Sequence, residues 1–217
     1  MAFWIATVAG LGVAYLLASI PTAYLAGRLL YGLDIREHGS KSVGATNALR
    51  VLGKWPALVV LLVDVLKGVV AIILVRWLFA PPFVAPHPTL DRQTWIPWVV
   101  ALAGLAALLG HGRSIWLKFS GGKSVATGLG VVLAISWPVA LGALAVFGGV
   151  VAIFRIVSLG SILAALTAIL LICCLDQPLA YRLLVVAGGV YVVARHRANI
   201  MRLLAGTEPR LGHGQGR

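Results

Sequence analysis

The chain has 217 residues, of which 60% are hydrophobic and only 11% charged, and its formal net charge is +12. That balance excludes an ordinary soluble domain. It also argues against a nucleic-acid binder, because the cations sit in short loops between apolar stretches rather than on one basic face.

Residues 1–27, 93–112, 124–154 and 156–175 carry no Asp, Glu, Lys or Arg, and a spanning helix takes about 20 mostly apolar residues. In chain order, helices are expected at 3–27, 55–78, 95–111, 124–136, 139–154, 158–175 and 178–195. The first lacks the cationic start and small-residue cleavage site of a secretory signal, so it is read as a retained helix. Residues 79–94 form the one sizeable outer loop, stiffened by Pro81, Pro82, Pro86 and Pro88. The stretch 124–154 would measure about 46 Å as one helix, against a core of about 30 Å. Trp137-Pro138 lies in its middle, and a residue before proline disfavours helix, so two shorter helices are expected there. Cys173 and Cys174 are adjacent in an apolar run, which suits packing rather than a disulfide.

The fold class is therefore all-α, a polytopic integral membrane bundle of about seven transmembrane helices. Seven spans put 14 of the 18 Lys and Arg on the side of the 28–54 loop, whereas six would leave 8 there. The positive-inside tendency selects seven, with the N-terminus outside and the C-terminus cytoplasmic. No repeat or second domain is evident. Residues 1–201 are read as a single transmembrane catalytic domain and 202–217 as a short, basic, flexible tail.

Two polar, glycine-containing loops interrupt the apolar pattern. In the first, Gly39 and Gly44 permit backbone shapes in which amides converge on an anion. Ser40, Ser42, Thr46 and Asn47 add neutral donors, and Arg50 offers a planar fork for phosphate oxygens. The competing reading is a cytoplasmic turn whose Arg50 and Lys54 meet lipid headgroups. In the second loop, Gly121-Gly122-Lys123 directly precedes a helix, whose amides and dipole suit an anion. Its rival is a glycine turn with an interfacial lysine. The segment is not a phosphate-binding loop of the nucleotide-hydrolase type, because Leu117 stands where that pattern needs glycine. His111 opens this loop as a titratable candidate or a packing residue. Ser158 and Ser161 start one late span, and Arg195-His196-Arg197-Ala198-Asn199 end the next. The seven-span topology puts all four polar groups on one membrane face. Asp64 and Lys67, three residues apart, meet on one helix face and are read as a structural ion pair, although charges at membrane depth are functional candidates. No Asp, Glu, His or Cys cluster has metal-ligand spacing, so neither metal nor cofactor is expected.

Three separated blocks resemble the bacterial membrane-integral acyl-phosphate:glycerol-3-phosphate acyltransferases. They are the GSxxVGATNxLRxLGK stretch at 39–54, the GH…LKFxGGKxVATxLG stretch at 110–130, and Val157-Ser158-Leu159-Gly160-Ser161 with Arg195-His196-Arg197-x-Asn199. Asp64-Val65-Leu66-Lys67-Gly68 is similar to a further family element. The resemblance implies transfer of an acyl chain from acyl phosphate to the 1-hydroxyl of glycerol 3-phosphate, giving lysophosphatidate and phosphate for phospholipid synthesis. It implies no coenzyme A or carrier-protein donor, no covalent acyl-enzyme, and a bacterial inner membrane location. By family match, Ser40 and Lys123 serve the donor phosphate with amides of the glycine loops. Arg50, Lys123, Ser161, His196 and Asn199 hold glycerol 3-phosphate. His111 or His196 is a candidate aid to proton transfer, beside the donor's own phosphate.

The chain departs from the family pattern twice. Ser40-Lys41-Ser42 stands where the family reads Ser-Gly-Asn, and Gly121-Gly122-Lys123-Ser124 where it reads Gly-Gly-Lys-Gly. Lys41 is expected to add anion attraction and Ser124 to cap the following helix, so both are read as tolerated. Expected partners are the two substrates and membrane lipid, with no nucleic acid and no obligate protein. A transporter of a small phosphorylated metabolite is the main rival function, and a catalytically silent lipid-binding scaffold the third.

Overall fold

The computed structural model describes residues 2–80 and 91–212. Ten α-helices follow one another among them: α1 (Ala2–Ser19), α2 (Thr22–Tyr31), α3 (Ala45–Val51), α4 (Lys54–Leu78), α5 (Arg92–Gly112), α6 (Val125–Ile135), α7 (Trp137–Phe154), α8 (Val157–Cys174), α9 (Leu179–Arg195) and α10 (Arg197–Leu204). No strand runs through the described residues; Ser114 and Ser120 form an isolated antiparallel bridge. Most of the expected outer loop, with its four prolines, falls at 81–90, outside the described residues.

Each of the seven expected apolar segments is helical, with instructive differences. The first is broken: Pro21, which has no N–H to donate, separates α1 from α2, and the two together make a 29-residue span, Phe3–Tyr31. The break in 124–154 falls at Ser136, whose backbone is extended (φ −155°, ψ 90°), and α7 carries Pro138 in its first turn, where proline costs no hydrogen bond. Among the described residues, five helices are long and apolar enough to cross a membrane, or six if the bent pair α9 and α10 counts as one. The 11 residues of α6 reach only about 16 Å, roughly half a bilayer core. Seven is thus approximate, since α6 is shorter than a full span.

The chain divides into two compact units, Met1–Ile135 and Ser136–Arg217. In the first, α1 packs on α5, and α4 runs centrally against α1, α3, α5 and α6. Glycine permits the closest crossing. A β-carbon on Gly68 would strike the Thr127 carbonyl, and one on Gly130 the Val65 carbonyl, so α4 and α6 meet backbone to backbone, as small residues allow in membrane bundles. In the second unit, α7 packs on α8 and α8 on α9.

Candidate functional site

The first polar loop leaves α2 through the left-handed Gly32 and turns at Asp34, whose carboxylate accepts from the Arg36 backbone N–H and from its guanidinium. The Arg36 side-chain hydrogen bond outweighs burial and holds the Asp34 carboxyl at about 2. Beyond this turn the loop is organised by one side chain. Asn47, 1% exposed, accepts from the Ser40 N–H at 2.8 Å. Its amide nitrogen faces the carbonyls of Ile35 and His38, each at 3.1 Å, and of Ser42 at 2.9 Å. Asn47 therefore spends its amide on the loop's own backbone. The fit is tight, since a β-carbon on Gly39 (φ +58°) would overlap the Asn47 amide oxygen. Gly44, by contrast, is extended at φ −114°, a shape open to any residue, so its glycine freedom is not used. The ordering of this loop leaves Ser40 and, in the last turn of α3, Arg50 exposed.

The second loop starts at the last turn of α5. Gly122 N–H donates to the His111 carbonyl at 3.1 Å. A β-carbon on Gly121 would strike that same carbonyl, and one on Gly122 would strike Nε2 of the imidazole. The double glycine is thus required by close approach to His111, which is itself buried. Lys123 follows, half-buried, two residues before α6 begins. Ser124 stands at the start of α6, its carbonyl accepting the Gly128 N–H at 2.8 Å. Its hydroxyl, fully buried, donates to the Leu108 carbonyl of α5 at 2.7 Å, tying the loop to the neighbouring helix. Both departures from the family pattern, Lys41 (φ +58°) and Ser124 (φ +61°), occupy left-handed backbone, where glycine is unstrained and a β-carbon is not.

The two loops share one apolar core. Ile35, Val43, Ala48 and Leu52 around the first and Leu117 from the second bury together with Ala23, Ala57 and Val60. Sequence-distant glycine loops are thereby anchored on the same cluster within the first unit. The Asp64–Lys67 pair of α4 is buried, with Nζ 2.7 Å from Oδ1, as expected of a brace.

The remaining site candidates fall in the second unit. Ser161 is buried and donates to the Val157 carbonyl at 2.9 Å. His196 is buried with Nδ1 2.8 Å from the Val192 carbonyl. A carbonyl only accepts, so Nδ1 carries a proton. Asn199 donates to Glu208 at 2.5 Å, and Ser158 and Arg202 donate to the same carboxylate at 2.7 Å each. Burial opposes ionisation of Glu208, but these three hydrogen bonds win and hold its pKa below the usual range. Sequence reasoning missed Glu208. Its one signal was being the sole acidic residue after Asp176 in a basic tail. Residues 205–212 fold back, with Leu211 N–H donating to the Arg155 carbonyl at 2.7 Å; 213–217 lie outside the described residues.

Long apolar helices joined by glycine loops that carry hydroxyl, amide and cationic groups define a polytopic helical membrane protein. Residues 8–206 match the family model described as glycerol-3-phosphate acyltransferase. The chain is 68% identical over 216 residues to glycerol-3-phosphate acyltransferase 2 of Rhizobium johnstonii, covering 98% of this chain and 99% of that one. It is 58% identical to the Acaryochloris marina glycerol-3-phosphate acyltransferase, covering 92% and 90%. Its fold superimposes on the crystal structure of PlsY (YgiH), an integral membrane glycerol 3-phosphate acyltransferase, in its glycerol 3-phosphate form, with a TM-score of 0.81, 36% identity, and 95% and 96% coverage. A lysophosphatidic acid form of PlsY matches equally, with a TM-score of 0.81. The chain belongs to the glycerol-3-phosphate acyltransferase family and is an integral, multi-pass membrane protein.

Proposed function

We propose that this protein transfers an acyl group from acyl phosphate to the 1-hydroxyl of glycerol 3-phosphate, releasing inorganic phosphate and lysophosphatidate, at the cytoplasmic face of a bacterial inner membrane. The observation that carries the reading is the anchoring of both glycine loops, with Ser40, Arg50 and Lys123, on one apolar core, in a chain of this family.

The donor is already activated, so alignment and charge neutralisation are the protein's main tasks. The hydroxyl oxygen of glycerol 3-phosphate attacks the acyl carbon, the bond from that carbon to the phosphate oxygen breaks, and the hydroxyl proton leaves with the departing phosphate. Lys123, with Ser40 and the amide of Gly121, neutralises the donor phosphate, and Gly122, its N–H held by the His111 carbonyl, shapes the loop. Arg50 serves glycerol 3-phosphate. Gly44 supports the first loop, and Asn47 acts by shaping it. His111 lies beneath the second loop as an aid to its charge or protons. Ser161, His196 and Asn199 enter through the resemblance as glycerol 3-phosphate ligands, and residues 1–201 act as one catalytic domain.

The test is turnover by the purified protein in detergent, supplied with acyl phosphate and glycerol 3-phosphate but no acyl-CoA. Phosphate and lysophosphatidate should form together, and Lys123→Ala should nearly abolish both. A Lys123→Ala variant with the parent rate refutes the site; absence of product from the parent protein refutes the function and favours a transporter of phosphorylated metabolites.

A further inference from the structure

The buried charges of α4 do more than brace the bundle. Taking a carboxylate and an ammonium out of water costs several kcal/mol each, so every extra partner they keep is informative. Lys67, 4% exposed, donates to Asp64, to the Thr22 hydroxyl and to the Ile20 carbonyl at the α1–α2 break, a carbonyl that also accepts the Thr22 N–H. The Thr22 hydroxyl donates in turn to Asp64 Oδ1 at 3.0 Å. The same Asp64 oxygen lies 3.8 Å from Nδ1 of His111. The opposite ring nitrogen, Nε2, fills the space that a Gly122 side chain would need, and the Gly122 N–H donates to the His111 carbonyl. A continuous series of contacts thus runs from the helix break through Lys67, Asp64 and His111 to the second glycine loop.

We infer that Asp64 is a positioning residue for that loop. Its carboxylate draws Nδ1 of His111 inward, which turns Nε2 against Gly122 and fixes the backbone that presents Gly121 and Lys123 to the donor phosphate. Lys67 and Thr22 hold the carboxylate in place, and its charge acts through the imidazole rather than on substrate. This deepens the proposed function and rests on it for the identity of the anion.

The experiment compares steady-state constants of the full-length protein in detergent for Asp64→Asn, His111→Asn and the double variant. Asp64→Asn should raise KM for acyl phosphate by about ten- to a hundredfold, the scale of an ångström-level misplacement, and raise KM for glycerol 3-phosphate, which meets this loop through Lys123 alone, several-fold less. The double variant should be no worse than the poorer single one, because both changes interrupt one route. Equal rises in both KM values, or additive losses, reduce Asp64 to a brace and overturn the inference. Since Asp64→Asn leaves a buried ammonium, a second pair guards against misfolding. Gly122→Ala should raise KM for the donor, and adding His111→Ser should recover much of it by removing the ring; no recovery overturns the inference. Binding of inorganic phosphate, weaker in Asp64→Asn than in the parent, separates the two claims. Were the parent to make no product, the reaction would fall, and an unchanged phosphate affinity would be needed to bring down the positioning role as well.

Discussion

Replacing Asn47 separates a loop former from a substrate ligand. Its amide oxygen accepts one backbone hydrogen bond, and its nitrogen has two hydrogens shared among three carbonyls. Asn47→Ala therefore deletes the equivalent of about three hydrogen bonds, each with a net worth of about 1 kcal/mol. The site is buried, so water cannot freely replace them. The expected loss is about 3 kcal/mol, or about 6–12 °C in Tm for a chain of this size. Asn47→Asp keeps the shape but, as a carboxylate, sets a negative oxygen against those carbonyls, so its loss should exceed that of alanine. The assay is thermal unfolding in detergent, with turnover measured on the same samples. Turnover should fall in parallel, because Ser40 and Lys41 lose the frame that orders them. If Asn47→Ala keeps the parent Tm and changes only an apparent substrate affinity, the amide contacts substrate and the loop stands without it.

Lys41→Gly should stabilise by about 0.5–1 kcal/mol, the relief of a left-handed β-carbon less the entropy that glycine costs in the unfolded chain, read as a higher Tm. Ser124→Gly relieves the same strain but loses the hydrogen bond to Leu108, so its gain should be smaller than that of Lys41→Gly. Gly130→Ala forces a β-carbon onto the Val65 carbonyl; backbone cannot rotate away, and overpacking of this kind costs about 1–3 kcal/mol, with turnover falling as the α4–α6 crossing opens. Asp34 has a folded pKa of about 2 against an ordinary value of 3.8. Its stabilisation is complete above the unfolded value and is lost as pH falls from about 4 towards about 2, and Asp34→Asn should unfold with a flatter pH dependence in that window.

Much of the bundle was legible because lipid leaves little choice. Every backbone polar group in a bilayer core must be satisfied locally, so each long apolar run had to be a helix, and all seven proved helical. The length argument placed the division of 124–154 correctly to within a residue or two. The break at Pro21 was harder to see, because a proline in an apolar helix can be tolerated when neighbours resatisfy the freed carbonyl. Here Lys67, 47 positions along the chain, adds a hydrogen bond to the Ile20 carbonyl at the break. Candidate loops were legible for a similar reason: glycine, hydroxyl and cation together are uncommon between apolar spans.

The roles of individual loop residues were not legible, because composition lists donors and acceptors without their partners. Asn47 read as an anion donor, and in the fold its amide is consumed by three carbonyls of its own loop; Ser124 gave no sign of the bond by which its hydroxyl ties the loop to α5. Gly122 read as a residue for approaching phosphate, and its neighbour proves to be an imidazole. Glu208 carried almost no sequence signal, yet three side chains converge on it. By itself, the order of residues determined that this chain lives in a membrane as helices and which short segments bear its chemistry, since hydrophobic transfer and backbone satisfaction act on local stretches. Only the tertiary structure decided which polar atoms are used up in holding the loops and which stay exposed, since hydrogen bonding and steric fit are settled between residues far apart in the chain.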